Sequence, residues 1–193
     1  NFRNLLIVEV GLVRRPGVTA RVRRVVVTVV LVASTLVGLS GPPAGAWSSD
    51  DGAVATFGGY VNDYGYSVAV DSSGNVYTAG LFYRTVDFDP GSGTEQQEHR
   101  YSLYDGAAGY LLKLDSSGDY AWVAVFDGSR TDAAYGVAVD SSDNVYVTGD
   151  FQNTVDFDPG AGTTNLTSNS TNISDAFVLK LDSSGDLVWA KSF

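Results

Sequence analysis

The 193-residue sequence contains no cysteine, no methionine and a single histidine, His99. Without cysteine there is no disulfide framework, no thiolate nucleophile and no cysteine-ligated metal cluster, so stability outside a cell must come from packing or a bound cation. Without methionine the translation start is expected elsewhere; initiation at Val18 on a non-AUG codon leaves residues 1–17 upstream of the product. A Ser-His-Asp relay has only His99 to use. No glycine-rich phosphate loop ending in Lys is present. The long apolar run, residues 25–39, has 15 residues and falls short of the ~18–20 needed to cross hydrocarbon.

What charge there is lies unevenly. Residues 1–46 hold six arginines against Glu9, a net of +5; with −10 overall, residues 47–193 carry −15. Arg21, Arg23 and Arg24 precede the apolar run, and SGPP with Ala44-Gly45-Ala46 follows it. That is the order of an export signal with a small-residue cleavage site before Trp47. Residues 1–46 are therefore read as an upstream extension and a signal-peptide helix, and the product as secreted or cell-surface, with no stable membrane span after cleavage. The acidic remainder repels phosphate backbones, which argues against nucleic acid as a partner.

Most of residues 145–193 occurs twice. NVYVTGDF, TVDFDPGAGT, DAFVLKLDSSGD and LVWAKSF answer to NVYTAGLF, TVDFDPGSGT, GYLLKLDSSGD and YAWVAVF in the same order. Asp71 to Asp140 and Asp87 to Asp156 are 69 residues apart, Asp115 to Asp182 and Trp122 to Trp189 are 67, so a two-residue indel lies between. A period of this kind marks propellers, solenoids or arrays. Each copy reads as four short strands separated by turn residues, 67–70, 76–82, 110–114 and 120–126, then 136–139, 145–151, 176–181 and 187–193. In VDSSGN and LDSSGD the Asp can accept backbone N–H groups two residues on, and Gly74, Gly118 and Gly185 supply the positive φ of a tight hairpin. The fourth copy has Asp143 in place of glycine, a residue that tolerates the left-handed region better than most. The segment WSSDDGAVATFGG, residues 47–59, ends like the two repeats and reads as a lone outer strand able to complete another blade.

The pattern A-V-D-x-x-x-N-V-Y-x-x-G, V-D-F-D-P-G and F-V-L-K-L-D-S-S-G-D-L-V-W-A-K-S-F resembles the SBBP family of bacterial β-propeller repeats, over residues 57–193. The resemblance implies an all-β fold of antiparallel β-propeller blades: a lead-in strand in 47–59, repeat 1 in 60–126 and repeat 2 in 127–193. A closed propeller takes roughly four to eight blades, so two repeats read as a fragment of a larger ring, with missing blades or self-association covering the exposed blade faces. The implied function is a binding or structural module at the cell surface or outside the cell, its ligand a protein or a carbohydrate. The alternative is a non-catalytic part of a secreted, polysaccharide-active enzyme whose active site lies elsewhere.

The acidic turns are the leading chemical candidates. Asp87 and Asp89, and Asp156 and Asp158, stand at i and i+2 in DFDPG, and two carboxylates so spaced before a glycine can offer oxygens to Ca²⁺. The structural reading has Phe88 and Phe157 turned inward and Asp-Pro-Gly making a turn. Both readings stay open on sequence. Trp122 and Trp189, with Phe126 and Phe193, sit at matched positions where aromatics either fill the space between blades or stack sugars. His99, in a stretch where the copies diverge, is expected in solvent. The many aspartates leave a carboxylate pair of the glycosidase kind open. No catalytic residue or organic cofactor is assigned.

Overall fold

The computed structural model describes residues 7–12, 25–30, 57–59, 61–99, 106–170 and 173–193. At the N-terminus β1 (Ile7–Leu12) pairs antiparallel with β2 (Val25–Val30). An extended strand therefore stands where the signal-peptide helix is expected. The reason is local: β2 is five valines and a threonine, and β-branched side chains favour strands over helices. The rest of the apolar run and the Ala44-Gly45-Ala46 site lie outside the described residues, as does the AVAT part of the lead-in.

The repeats fold as two equivalent sheets. After β3 (Gly58–Gly59), the first repeat supplies β4 (Tyr64–Val70), β5 (Val76–Phe82), β6 (Thr85–Asp87), β7 (Gln96–Glu98), β8 (Ala108–Leu114) and β9 (Tyr120–Phe126). The second supplies β10 (Ala133–Val139), β11 (Val145–Phe151), β12 (Thr154–Asp156), β13 (Asn165–Thr167), β14 (Asp175–Leu181) and β15 (Leu187–Ser192). The four long strands of each repeat form an antiparallel meander, β4-β5-β8-β9 and β10-β11-β14-β15. Both long loops carry a small ribbon that the strand pattern did not anticipate, β6 with β7 and β12 with β13. The described end of the lead-in joins the first ribbon: Gly58 and Gly59 pair with Asp87 and Val86.

The hairpins form as their residues dictate. Gly74, Gly118 and Gly185 have φ of 85°, 87° and 94°, and Asp143 takes φ 59° in the fourth. Asp71 Oδ1 accepts the N–H groups of Ser73 and Asn75, and Asp140, Asp115 and Asp182 repeat the pattern. These bonds favour the ionised form, holding Asp140 down at about 2, and they outweigh partial burial to lower Asp71 as well. In each repeat a lysine lies above the tyrosine of the second strand, Lys113 over Tyr77 and Lys180 over Tyr146.

The main core lies between the sheets. Tyr77, Ala79, Leu111, Ala124, Phe126 and the half-buried Trp122 of the first sheet pack on Phe151, Phe157, Phe177, Leu179 and Leu181 of the second. The opposite face of the first sheet is covered by its own loop, with Phe82, Val86, Phe88, Tyr110 and Leu112 buried and Phe57 packed on them. This asymmetry explains why β5 and β8 are buried nearly throughout while β11 alternates. On the outer face of the second sheet the repeat positions of Ala79 and Ala124 become Thr148 and Lys191, both exposed, and Phe193 is 73% exposed where Phe126 is 1%. Trp122 and Phe126 are thus interblade fillers, and each tryptophan also meets the second-strand tyrosine of its own sheet, Trp122 with Tyr77 and Trp189 with Tyr146.

Candidate binding surface

The acidic turns are built on their own backbone. Asp87 Oδ1 accepts the N–H of Asp89 at 3.2 Å and of Glu95 at 2.8 Å, and Asp156 Oδ1 does the same for Asp158 at 3.1 Å and Thr164 at 2.8 Å. Asp89 and Asp158 then accept Gly91 and Gly160 at 2.7 and 2.9 Å. Phe88 and Phe157 between them are fully buried. These are Asx turns that close the ribbons. Among the described residues, no three His, Cys, Asp or Glu side chains converge as metal ligands.

Two carboxylates that the sequence reading passed over hold each repeat's entry. Asp63 accepts the N–H of Gly59 at 2.8 Å and of Tyr83 at 3.3 Å. Its counterpart Asp132 accepts Gly128 at 2.6 Å and Gln152 at 3.0 Å. Each ties the segment before the first strand to the end of the second. Burial raises both, Asp132 to about 7, with the N–H bonds and His99 pulling down and Asp127 pushing up. The only signal in the sequence is G-x-x-x-D recurring at the 69-residue period.

His99 corrects an expectation. It is buried, 6% exposed, and its Nδ1 lies 2.6 Å from Asp127 Oδ1. Its counterpart Ser168 is also buried, and both backbone N–H groups bond the carbonyl of a left-handed residue, Arg84 and Asn153. The position is structural in both repeats; only the side chain differs, which hid the match.

The exposed chemistry sits at the inner edge of the sheets. In β4 the pairing with β5 shifts between Gly65 and Ser67, and in β10 the pairing with β11 shifts between Ala134 and Gly136. The residues inside the two bulges are Tyr66 and Tyr135, equivalent positions 69 apart. Close approach of the backbones there needs glycine opposite: a Cβ at Gly80 or Gly149 would run into the carbonyl oxygen of Tyr64 or Ala133. A bulge re-aims its side chain, and both tyrosines turn outward, 45% and 47% exposed. Their rings are 5.2 Å apart, joining the two repeats, and Tyr64 lies 6.1 Å from Tyr66 with the rings within 11° of parallel. Asp150 stands beside them; burial first and the charge of its carboxylate second raise the Tyr135 phenol to about 12. Tyr66 is raised likewise, by burial and then by Tyr64, Tyr83 and Asp150.

Two sheets of four antiparallel strands, the second packed face to face on the first and repeating its turns, core and bulges, have the form of successive propeller blades. Residues 55–81 match the SBBP β-propeller repeat. The match takes in Phe57 of the lead-in, the bulge of β4 and β5 as far as Leu81. The chain is also 27% identical, over 127 residues, to an uncharacterized WD repeat-containing protein of Acanthamoeba polyphaga mimivirus. That similarity covers 64% of this chain but spans only 9% of the length of the curated relative. The repeat is thus a β-propeller-like unit, and the bulge tyrosines are a feature of its innermost strand.

Proposed function

We propose that this chain is an exported binding or structural module, displayed at the cell surface or released, whose SBBP repeats form a rigid support for contacts made at the inner-edge tyrosines and the ribbon loops. One observation carries the reading: the apolar stations buried in both repeats are filled twice by the same residue types, while the differences gather where the second repeat faces outward. Val86, Phe88 and Leu114 answer to Val155, Phe157 and Leu181, all buried, whereas Leu81 becomes Asp150 beside the tyrosines and Ala79 becomes Thr148 on the outer face. Scaffold positions held apolar with surface positions varied are what a recognition module needs. Export rests on the Arg-flanked apolar run before Ala44-Gly45-Ala46.

The partner is a protein or a carbohydrate, and the partly apolar outer face of the second sheet is met by further blades or by self-association. Expression of the full chain in a bacterial host, with fractionation and N-terminal sequencing, tests export. A surface or medium fraction whose first residue is Trp47 supports it; cytoplasmic protein that retains residues 1–46 refutes it.

A further inference from the structure

We propose that the inner-edge surface formed by Tyr64, Tyr66, Tyr135 and Asp150 binds a neutral carbohydrate by ring stacking. The inference rests on reading the chain as a binding module and names the ligand class and the site.

Three independent features converge here. First, two equivalent β-bulges turn a tyrosine outward from each repeat, and bulges gather where a side chain must be re-aimed for function. Second, only the second repeat brings a carboxylate to the tyrosines: the β5 stations facing the interblade core, Ala79 and Leu81, become Thr148 and Asp150 in β11. Leu81 of β5 is 5% exposed, and its counterpart in β11 is Asp150, a carboxylate at a position the first repeat fills with a core side chain. Asp150 is only partly buried, so this surface gains an acceptor beside Tyr135 and Tyr66. Third, Tyr64 stands where the second repeat has Ala133, so the first repeat adds a ring that its copy lacks.

The chemistry of the surface selects the ligand. Tyrosine offers an apolar ring face with a polar rim, which suits the C–H face of a sugar ring bordered by hydroxyls. Asp150 accepts hydroxyl donors, and Asn62, whose amide reaches the Tyr64 hydroxyl at 3.4 Å, can both donate and accept. The rings touch one another at 5.2 and 6.1 Å centroid separation. They make a continuous surface rather than a cage with a slot between separated rings, which is the arrangement for an organic cation. A net charge of −10 disfavours an anionic glycan. Three half-exposed tyrosines cover far less than the ~800 Å² per partner of a stable protein interface, so a few sugar rings fit the size better than a protein.

The test is affinity electrophoresis of the purified full chain through gels holding xylan, mixed-linkage β-glucan, galactomannan or arabinogalactan, followed by titration with the matching oligosaccharide under tyrosine fluorescence. Retardation by at least one neutral polysaccharide is expected, weakened on the order of tenfold or more in Tyr66→Ala and in Tyr135→Ala. Tyr66→Phe keeps the ring and should retain binding. Asp150→Leu installs the first repeat's own residue and should fold normally while binding more weakly. Circular dichroism melts of each variant separate lost stacking from lost folding. Retardation that persists in the Tyr66→Ala, Tyr135→Ala double variant overturns the site and leaves the module reading standing. Migration unchanged in all four gels, or tighter binding of tetramethylammonium than of any oligosaccharide, overturns the ligand class.

Discussion

Phe57 and Phe126 hold the same station against successive sheets. Phe57 lies 5.4 Å from Phe88 and 5.7 Å from Tyr110, and Phe126 lies 5.6 Å from Phe157 and 5.8 Å from Phe177. Phe57 of the lead-in thus does for the first sheet what the end of β9 does for the second. Phe193 is the third residue of the series, and it is 73% exposed.

That series sets a graded prediction. Phe126→Ala leaves a cavity in the interblade core and should cost about 3–5 kcal/mol. Phe57→Ala, at a half-buried position, should cost about 2 kcal/mol. Phe193→Ala should fall within about 0.5 kcal/mol of the parent. Urea midpoints read the order directly; a large loss at Phe193 in dilute protein would show that its face is already covered by another copy.

Asp143 is the one non-glycine among the four hairpin positions, and it has a task glycine cannot perform. Its carboxylate accepts the Ser72 N–H at 3.0 Å and the Ser72 hydroxyl at 2.8 Å, linking the equivalent hairpins of the two repeats. Asp143→Gly eases the φ of 59° but removes both bonds, so the two effects offset and a change of about 1 kcal/mol or less is expected. Asp143→Ala keeps the left-handed strain and loses the bonds, and should cost about 2 kcal/mol. If alanine proved no worse than glycine in thermal melts, neither strain nor the bridge would matter at this turn.

The acidic turns give a prediction about cations. Their inward oxygens already serve backbone N–H groups, and a hard cation needs six or more oxygens. Thermal unfolding in EDTA and in millimolar calcium is therefore expected to superimpose. Calcium that bound only the folded chain would raise the melting temperature; a rise reversed by chelator and abolished in Asp87→Asn, Asp156→Asn would make these turns cation sites after all.

The sequence carries the strands and hairpins because each is short-range: alternation within seven residues, and an Asp five residues before the strand it leads into. Trp122 and Phe126 were legible as interblade fillers because their period is shared. The bulges were not, since a bulge is a property of the register between two strands and neither Tyr66 nor Tyr135 differs in kind from a tyrosine in regular pairing. The ribbons escaped because three residues are too few to show alternation. Buried Asp63 and Asp132 run against the usual exposure of aspartate, and the burial of His99 was masked by a serine at its equivalent position. In the N-terminal run the apolar length suggests a helix, while its β-branched composition gives β2.

The buried aspartates predict an unusual acid optimum. Asp132 is fully buried and its carboxyl is raised to about 7 from an ordinary 3.8, and Asp63 is raised in the same direction. Between about pH 4 and 7 the folded state therefore holds a proton that the unfolded chain has released. Stability from these groups is full below about pH 4, falls as pH rises through that window and levels off above it, by at most about 4 kcal/mol for Asp132. Asp140, held at about 2, acts oppositely: its contribution is present above about pH 4 and is lost as pH falls toward 2. The two trends place maximal stability near pH 4, on the acid side of most proteins. Urea midpoints from pH 3 to 8 test this, with Asp132→Asn as the control. Asparagine offers one acceptor to two N–H groups and adds a misplaced donor, so the variant should be less stable throughout; its loss between pH 4 and 7 should nonetheless be flatter. A slope unchanged by the substitution would assign the pH dependence to other groups.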